Sequence, residues 1–119
     1  MALIPRRTDL LMDLHETWNF QITCHDDADG TVVSDLVGAS ISIAFADNTG
    51  TTVLVAPGII LDPANDGIAL LQVSPVQQEA ADPSIVAGRY TYTIRLTRAD
   101  STISDQAFGT LTVRETEYA

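Results

Sequence analysis

The fold of this chain is decided by residues 10–24, which read LLMDLHETWNFQITC. Every even-numbered position in this stretch except Glu16 is apolar, and every odd-numbered position except Leu11 is polar. Because successive side chains of a β-strand point to opposite faces, this period of two places one row in a core and the other in solvent. The same alternation returns at residues 90–97. Both stretches predict an antiparallel β-sheet with one solvated face.

Turn signals divide the remainder of the chain into short strands. Gly-containing clusters at 26–30, 47–50 and 62–67 separate extended segments at 31–37, 39–46, 51–56, 59–61 and 68–73, and a last strand is predicted at 103–113 with an irregularity at Gly109. The only predicted helix covers 74–81, with Ser74 as its cap and Pro75 at its first position. Seven or eight strands at this spacing predict a β-sandwich or a small barrel.

The length of 119 residues predicts a single domain, which the strand pattern assigns to residues 10–119. Residues 1–9 lack periodicity and are predicted to form an N-terminal arm. Leu3, Ile4 and Pro5 are apolar, and Arg6 and Arg7 follow them. Such an arm either docks on a neighbouring subunit or stays disordered.

The charge of the chain argues against two classes of partner. Sixteen acidic residues, six arginines and no lysine give a net charge of −10. Nucleic acid and an anionic membrane surface are therefore not expected as partners, since both attract cations. No apolar run is long enough for a signal peptide or a membrane span, so we expect synthesis in the cytoplasm.

The aromatic residues and the cysteine fit a core better than a reaction centre. Trp18, Phe20, Tyr90 and Tyr92 lie on apolar rows and are predicted to be buried. Cys24, the only cysteine, lies on the same row as Trp18 and is interpreted as a small buried hydrophobe.

No catalytic pattern is present in the sequence. His15 and His25 are the only bases suited to activating a nucleophile, and there is no Gly-x-Ser-x-Gly motif. Both histidines fall on the polar row and are interpreted as solvent-facing. We therefore expect neither an enzyme nor a cofactor.

The acidic turns are weak candidates for a cation or carbohydrate site. Asp27 and Asp29 lie two residues apart before a glycine, and Asp62 and Asp66 flank the strongest turn signal. A helix-loop-helix calcium loop would need a carboxylate where His25 stands and a glutamate where Leu36 stands. A solvated turn is the better interpretation, and no metal site is assigned. A calcium- or carbohydrate-binding module remains the alternative function.

The order of five motifs resembles small virion domains of tailed phages. The motifs are HETWNFQI at 15–22, DGTVVSDLVGA at 29–39, GIAL at 67–70, GRYTYTIRLT at 88–97 and GTLTV at 109–113. Val37 stands where the family usually has Thr, and His15 where it usually has Gly. The chain is similar in kind to the N-terminal domain of baseplate upper proteins and to related fibre-attachment domains.

This resemblance implies an immunoglobulin-like sandwich and a structural function in a virion. The expected function is that of a tail, neck or baseplate adaptor, or of a decoration subunit. The expected partners are other virion proteins, in a homo-oligomer or another symmetric assembly. The arm residues Leu3, Ile4, Pro5, Arg6 and Arg7 are the predicted protein interface. Because such domains often continue into a fibre and this chain ends at Ala119, we expect a stand-alone subunit.

Overall fold

The computed structural model describes residues 6–26 and 34–115, and gives the backbone alone at Arg6. One short helix, α1, covers Pro75–Ala80, and a 3-10 turn covers Ala64–Asp66. The strands are β1 Arg6–Arg7, β2 Leu10–Asp13, β3 Trp18–Thr23, β4 Ser40–Ala46, β5 Thr52–Ile60, β6 Ile68–Val73, β7 Gly88–Thr97 and β8 Ile103–Arg114.

These strands pack as two layers that share one strand. Sheet A has the order β8–β7–β4–β5, with β1 and β2 both paired to the outer side of β8. Sheet B has the order β5–β6–β3. The prediction of an all-β, immunoglobulin-like sandwich of seven to eight strands is confirmed. The predicted strand at 68–73 lies inside sheet B, between β5 and β3.

β5 passes from one layer to the other at Gly58. Residues 52–57 of β5 pair with β4 in sheet A, and Gly58, Ile59 and Ile60 pair with β6 in sheet B. A Cβ at Gly58 would lie 2.6 Å from Cγ2 of Ile41 and 2.7 Å from Cδ2 of Leu71. Both neighbours are buried, so a side chain at the crossing would push the layers apart.

The long N-terminal strand is broken where its apolar row is interrupted, at His15-Glu16. β2 runs parallel to β8 in sheet A, whereas β3 runs antiparallel to β6 in sheet B. A turn at 14–17 joins them, and His15 has a φ of 69° there. The pairing is therefore antiparallel throughout except along β1 and β2.

The buried side chain of Gln78 in α1 holds this turn in place. Its Oε1 accepts a hydrogen bond from the His15 N–H at 3.0 Å, and its Nε2 donates to the Glu16 carbonyl at 2.6 Å. Helix α1 itself begins as predicted, since Ser74 and Gln77 form a reciprocal capping box. The helix thus connects sheet B to the point where the chain changes layer.

Residues 6–9 belong to the sandwich, which moves the start of the domain from Leu10 to Arg6. The Thr8 N–H donates to the Phe108 carbonyl at 2.9 Å, and the Tyr92 hydroxyl donates to the Thr8 carbonyl. A Cβ at Gly109 would lie 2.1 Å from that Thr8 carbonyl oxygen, so only glycine leaves room for the strand. The other predicted arm residues, Leu3, Ile4 and Pro5, lie outside the described residues.

The irregularity in β8 lies at Gln106 and not at Gly109, where it was predicted. Ile94 is opposite Ala107 and Arg95 is opposite Asp105, so Gln106 is the extra residue of a bulge. The bulge turns this side chain inward, where it is 6% exposed. The predicted extended segment at 31–37 is also different, because residues 34–37 form no strand and 31–33 lie outside the described ranges.

The core lies between the two sheets, and the predicted aromatic residues lie in it. Trp18, Phe20, Tyr90 and Tyr92 are all buried, and Cys24 is fully buried. The Trp18 ring meets Phe45 edge-on at a centroid distance of 5.8 Å. Its Nε1–H donates to the Asp13 carbonyl at 2.8 Å, which ties β3 to the end of β2.

Replacing Trp18 with Ala is expected to destabilise the domain by roughly 3–5 kcal/mol, because it removes a buried ring and leaves a cavity. Urea denaturation followed by circular dichroism measures this. Val76→Ala is the control, since Val76 is 74% exposed and its loss should change stability by less than about 0.5 kcal/mol. Equal midpoints for the two variants would contradict the placement of Trp18 in the core.

Deleting residues 1–9 is expected to cost more stability than deleting 1–5. The longer deletion removes the pairing of β1 with β8 and three further hydrogen bonds to the sheet, namely Thr8 N–H to Phe108, Tyr92 hydroxyl to Thr8, and Thr110 N–H to Asp9. At roughly 0.5–1.5 kcal/mol each, the three further bonds should by themselves make the difference in unfolding free energy at least about 2–4 kcal/mol. Urea titration of both truncated chains checks it, and identical midpoints would mean that β1 adds nothing to the fold.

Candidate functional site

The structure does not bring the predicted acidic residues together into a cation site. Asp27 and Asp29 lie outside the described residues. Asp62 lies two residues before the 3-10 turn in the loop between β5 and β6, and Asp66 is the last residue of that turn. Within 6–26 and 34–115 no group of three or more His, Cys, Asp or Glu side chains is arranged to hold a metal ion.

The two histidines lie at turns and are held through their backbones. His15 lies in the turn between β2 and β3 and is exposed, whereas His25 follows β3 and is partly buried. The His25 N–H donates to Gln106 Oε1 at 2.9 Å, just as the His15 N–H is bound by Gln78. The side chain of a buried glutamine thus fixes the main chain at each histidine.

A polar network covers the end of the sandwich near His25. Arg98 donates two hydrogen bonds to Asp26 Oδ1, from Nη2 at 2.7 Å and from Nε at 3.1 Å. The Ser34 hydroxyl donates to the same oxygen at 2.7 Å. Asp26 is therefore a structural acceptor that fastens the chain after β3 to the hairpin between β7 and β8.

The Cys24 thiol beneath this network is not a reactive group. Its burial raises the pKa to about 11, an effect that the nearby Arg98 opposes. Nucleophilic cysteines need a lowered pKa and some exposure, and Cys24 has neither. The interpretation of Cys24 as a buried hydrophobe is consistent with this environment.

The described surface with the strongest binding character is the outer face of sheet A, which we name the A face. The A face consists of the outward side chains of β1, β2, β8, β7, β4 and β5. The strand register aligns these side chains in transverse rows, and one such row runs Arg7, Phe108, Thr93, Ala44, Val55.

Small side chains form a trough along the middle of the A face. Ser42, Ala44 and Ala46 alternate outward along β4 and are flanked by larger residues on the neighbouring strands. The trough has a volume of about 290 Å³, just below the roughly 300–1,000 Å³ of small-molecule sites. It is therefore of a size for one or two side chains of a partner protein. Its walls include Val55 on β5 and Thr91, Thr93 and Arg95 on β7.

Large apolar side chains are exposed on the A face, and one of them, Val55, lines the trough. Leu11 is 55%, Val55 59% and Ile103 60% exposed, and Phe108 is 37% exposed. The guanidinium of Arg7 lies over the Phe108 ring, 6.0 Å from its centroid. Single exposed apolar residues need no explanation, but four on one sheet face are typical of an interaction surface.

The charge of the A face differs from that of the whole chain. The described residues of this face include four arginines, Arg7, Arg89, Arg95 and Arg114, and three aspartates, Asp9, Asp13 and Asp105. Their formal sum is +1, whereas the chain carries −10. Removing water from a surface of little net charge costs less free energy than removing it from the acidic remainder of the protein surface. The A face is therefore easier to bury against a partner.

Ion pairs hold most of these charges. Two of them join neighbouring strands: Arg95 Nε lies 2.8 Å from Asp105, and Arg114 is bonded to Asp13. The third lies within the N-terminal segment, where Arg7 is 3.9 Å from Asp9. Hydrogen bonding to Asp105 raises the pKa of Arg95, and this pair lies at the edge of the trough.

The A face could not be recognised as a site from the sequence. Its only sequence signal is the outward row of β4, where Ser40, Ser42, Ala44 and Ala46 stand at positions that solvated strands usually fill with longer polar residues. Of the predicted interface residues, Arg7 lies on β1 at one border of this face, and the backbone of Arg6 pairs with Ala107. The prediction that they bind a partner stays a prediction.

Comparison with known proteins assigns no family to the chain. No family model matches it, and no curated protein matches it. Among solved structures it is similar to CopC from Methylosinus trichosporium OB3b, with 15% sequence identity and a TM-score of 0.48, over 92% of this chain and 89% of that one. A similarity of this degree carries no argument, so the fold described above rests on its strand pairings. No helix in the described ranges is long and apolar enough to span a membrane.

Proposed function

We propose that this protein is a structural component of a tailed-phage virion that acts through protein–protein contacts, as a tail, neck or baseplate adaptor or a decoration subunit. The motif order described above supports the phage assignment. The observation that carries the binding function is the A face, with its trough of about 290 Å³ and the exposed apolar side chains on the same face.

The chemistry of the A face defines the partner surface that it would bind. The trough accepts one or two apolar side chains, while Phe108 and Val55 pack beside them. Arg89 is exposed on the same face and forms no ion pair within residues 6–26 and 34–115, so it can meet a carboxylate of the partner. The expected partner is therefore a protein surface with a protruding apolar side chain near an acidic residue. The mechanism is scaffolding: the sandwich presents a preformed face and does not change shape.

Ala44→Arg is expected to block this contact without unfolding the domain. Ala44 points outward at the middle of β4, so a long cation there fills the trough while the core side of the strand is unchanged. We expect the variant to be incorporated into purified tailed particles at least tenfold less than the wild type, as measured by quantitative mass spectrometry of gradient-purified particles. Val76→Arg is the matched control, because Val76 is exposed on α1, outside the A face.

The possible outcomes test the virion function and the role of the A face independently of each other. Infectious particles that contain none of the wild-type chain would overturn the virion function. Particles that take up Ala44→Arg as well as the wild type would keep the function and exclude the A face as its contact surface.

A calcium titration separates the proposal from a calcium-binding module built on the acidic turns. We expect the melting temperature in 1 mM calcium chloride to equal that in EDTA within about 1 °C, because the described carboxylates form no cluster. A ligand whose free concentration is one hundred times its dissociation constant would raise the free energy of unfolding by about 2.7 kcal/mol. Differential scanning calorimetry, with magnesium as the control ion, would detect the resulting rise of several degrees, and such a rise would favour the alternative.

A further inference from the structure

Among the described residues, β3 forms the unpaired edge of sheet B, and it has an unusual composition for an edge strand. β3 reads WNFQIT, stands last in the strand order, and pairs in an unbroken register with β6 alone. It contains no charged residue, no proline and no bulge. Natural edge strands use these features to prevent pairing with other chains. Although the chain carries a net charge of −10, β3 has none of these protective features. Another strand can therefore pair with its edge.

The backbone geometry shows which groups of β3 face this edge. The Cys24 N–H donates to the Gly67 carbonyl at 2.7 Å, and Thr23 stands opposite Ile68. In an antiparallel ladder the residues that bond to the neighbour alternate along the strand. The even-numbered residues of β3 therefore bond to β6. The N–H and C=O groups of Asn19, Gln21 and Thr23 point away from it, toward the open edge.

The side chains beside this edge are also uncharged. Asn19, Gln21 and Thr23 are exposed on the outer face of sheet B. The adjoining strand β6 presents Gln72 and Leu70 there, and Gln72 donates to Asn19 Oδ1 at 3.1 Å. Two copies of a strongly acidic chain repel each other wherever their carboxylates approach. Along Trp18–Thr23 they can meet without bringing like charges together, because the carboxylates nearest in sequence, Glu16 and Asp26, lie outside the strand.

We propose that a second copy of this chain pairs with the β3 edge, as an antiparallel β3–β3′ ladder on a two-fold axis. In the register that forms a hydrogen bond with every outward N–H and C=O group, Gln21 lies opposite Gln21 of the other copy and Asn19 lies opposite Thr23. Each of the three residues then contributes one donor and one acceptor, which gives six backbone hydrogen bonds across the axis. Sheet B becomes a six-stranded sheet through the two copies, an isologous contact in which both partners use the same patch.

This pairing is separate from the proposed virion function and from the A face. It uses the opposite layer of the sandwich and needs no other virion protein. One six-residue strand buries less than the roughly 800 Å² per partner of a standard interface. We therefore expect a dimer that forms between about 10 µM and 1 mM, weaker than an obligate dimer.

Sedimentation velocity of the full chain, from 10 µM to 1 mM, tests the proposal. We expect a monomer–dimer equilibrium that strengthens when sodium chloride is raised from 50 to 500 mM, because salt screens the repulsion between two acidic copies. Gln21→Glu should weaken dimerisation at least tenfold, since it places two carboxylates face to face on the axis. Asn48→Asp is the matched control: it makes the same amide-to-carboxylate change at an exposed position in the turn between β4 and β5, away from the β3 edge, and should leave the dimer intact.

Amide hydrogen exchange of the same samples tests the register. The amides of Asn19, Gln21 and Thr23 should exchange more slowly as concentration rises, whereas those of Phe20 and Ile22 should be protected at every concentration. A wild-type chain that stays monomeric at 1 mM overturns the proposal. A dimer that survives Gln21→Glu, that weakens with added salt, or that leaves the three outward amides unprotected overturns it as well.

Discussion

The close contact at Gly58 is the constraint on which the remainder of the structure depends. β5 can belong to both layers only because its backbone passes within van der Waals distance of Ile41 and Leu71, where a Cβ would lie 2.6 and 2.7 Å from their side chains. Since one strand is shared, the described strands form a single path from β1 to β3. That path leaves two ends, one at β1 and β2 and the other at β3.

The two ends of this path differ in how they are covered. At the first end, β1 and β2 lie against β8, and Thr8 fills the space above Gly109. Ion pairs such as that between Arg114 and Asp13 add charge along this edge. At the other end, β3 has neither a covering strand among the described residues nor a charge. This difference explains why the edge at β8 is covered by β1 and β2 within the fold, whereas the edge at β3 can pair with a second copy.

The chemistry of the surface follows from the same arrangement. The outer face of sheet A gathers small side chains from β4, apolar ones from β5 and β8, and arginines from β7 and β1. None of these strands is unusual alone. Together they give a nearly neutral face with a trough in a chain of net charge −10. Protein contact, the activity that we propose for this chain, agrees with a nearly neutral face of this kind.

The sequence by itself determined which side of each strand is buried. Trp18, Phe20, Tyr90 and Tyr92 could be assigned to the core because alternation along a strand is a local property of the backbone. The helix cap at Ser74 was equally local. Only the tertiary structure decided which strand lies beside which, since pairing joins residues far apart in sequence. The break at His15-Glu16 was visible in the sequence, but the parallel pairing of β2 with β8 was not. For the same reason the A face and the open edge of β3 could not be predicted, because each exists only once distant strands have been brought side by side.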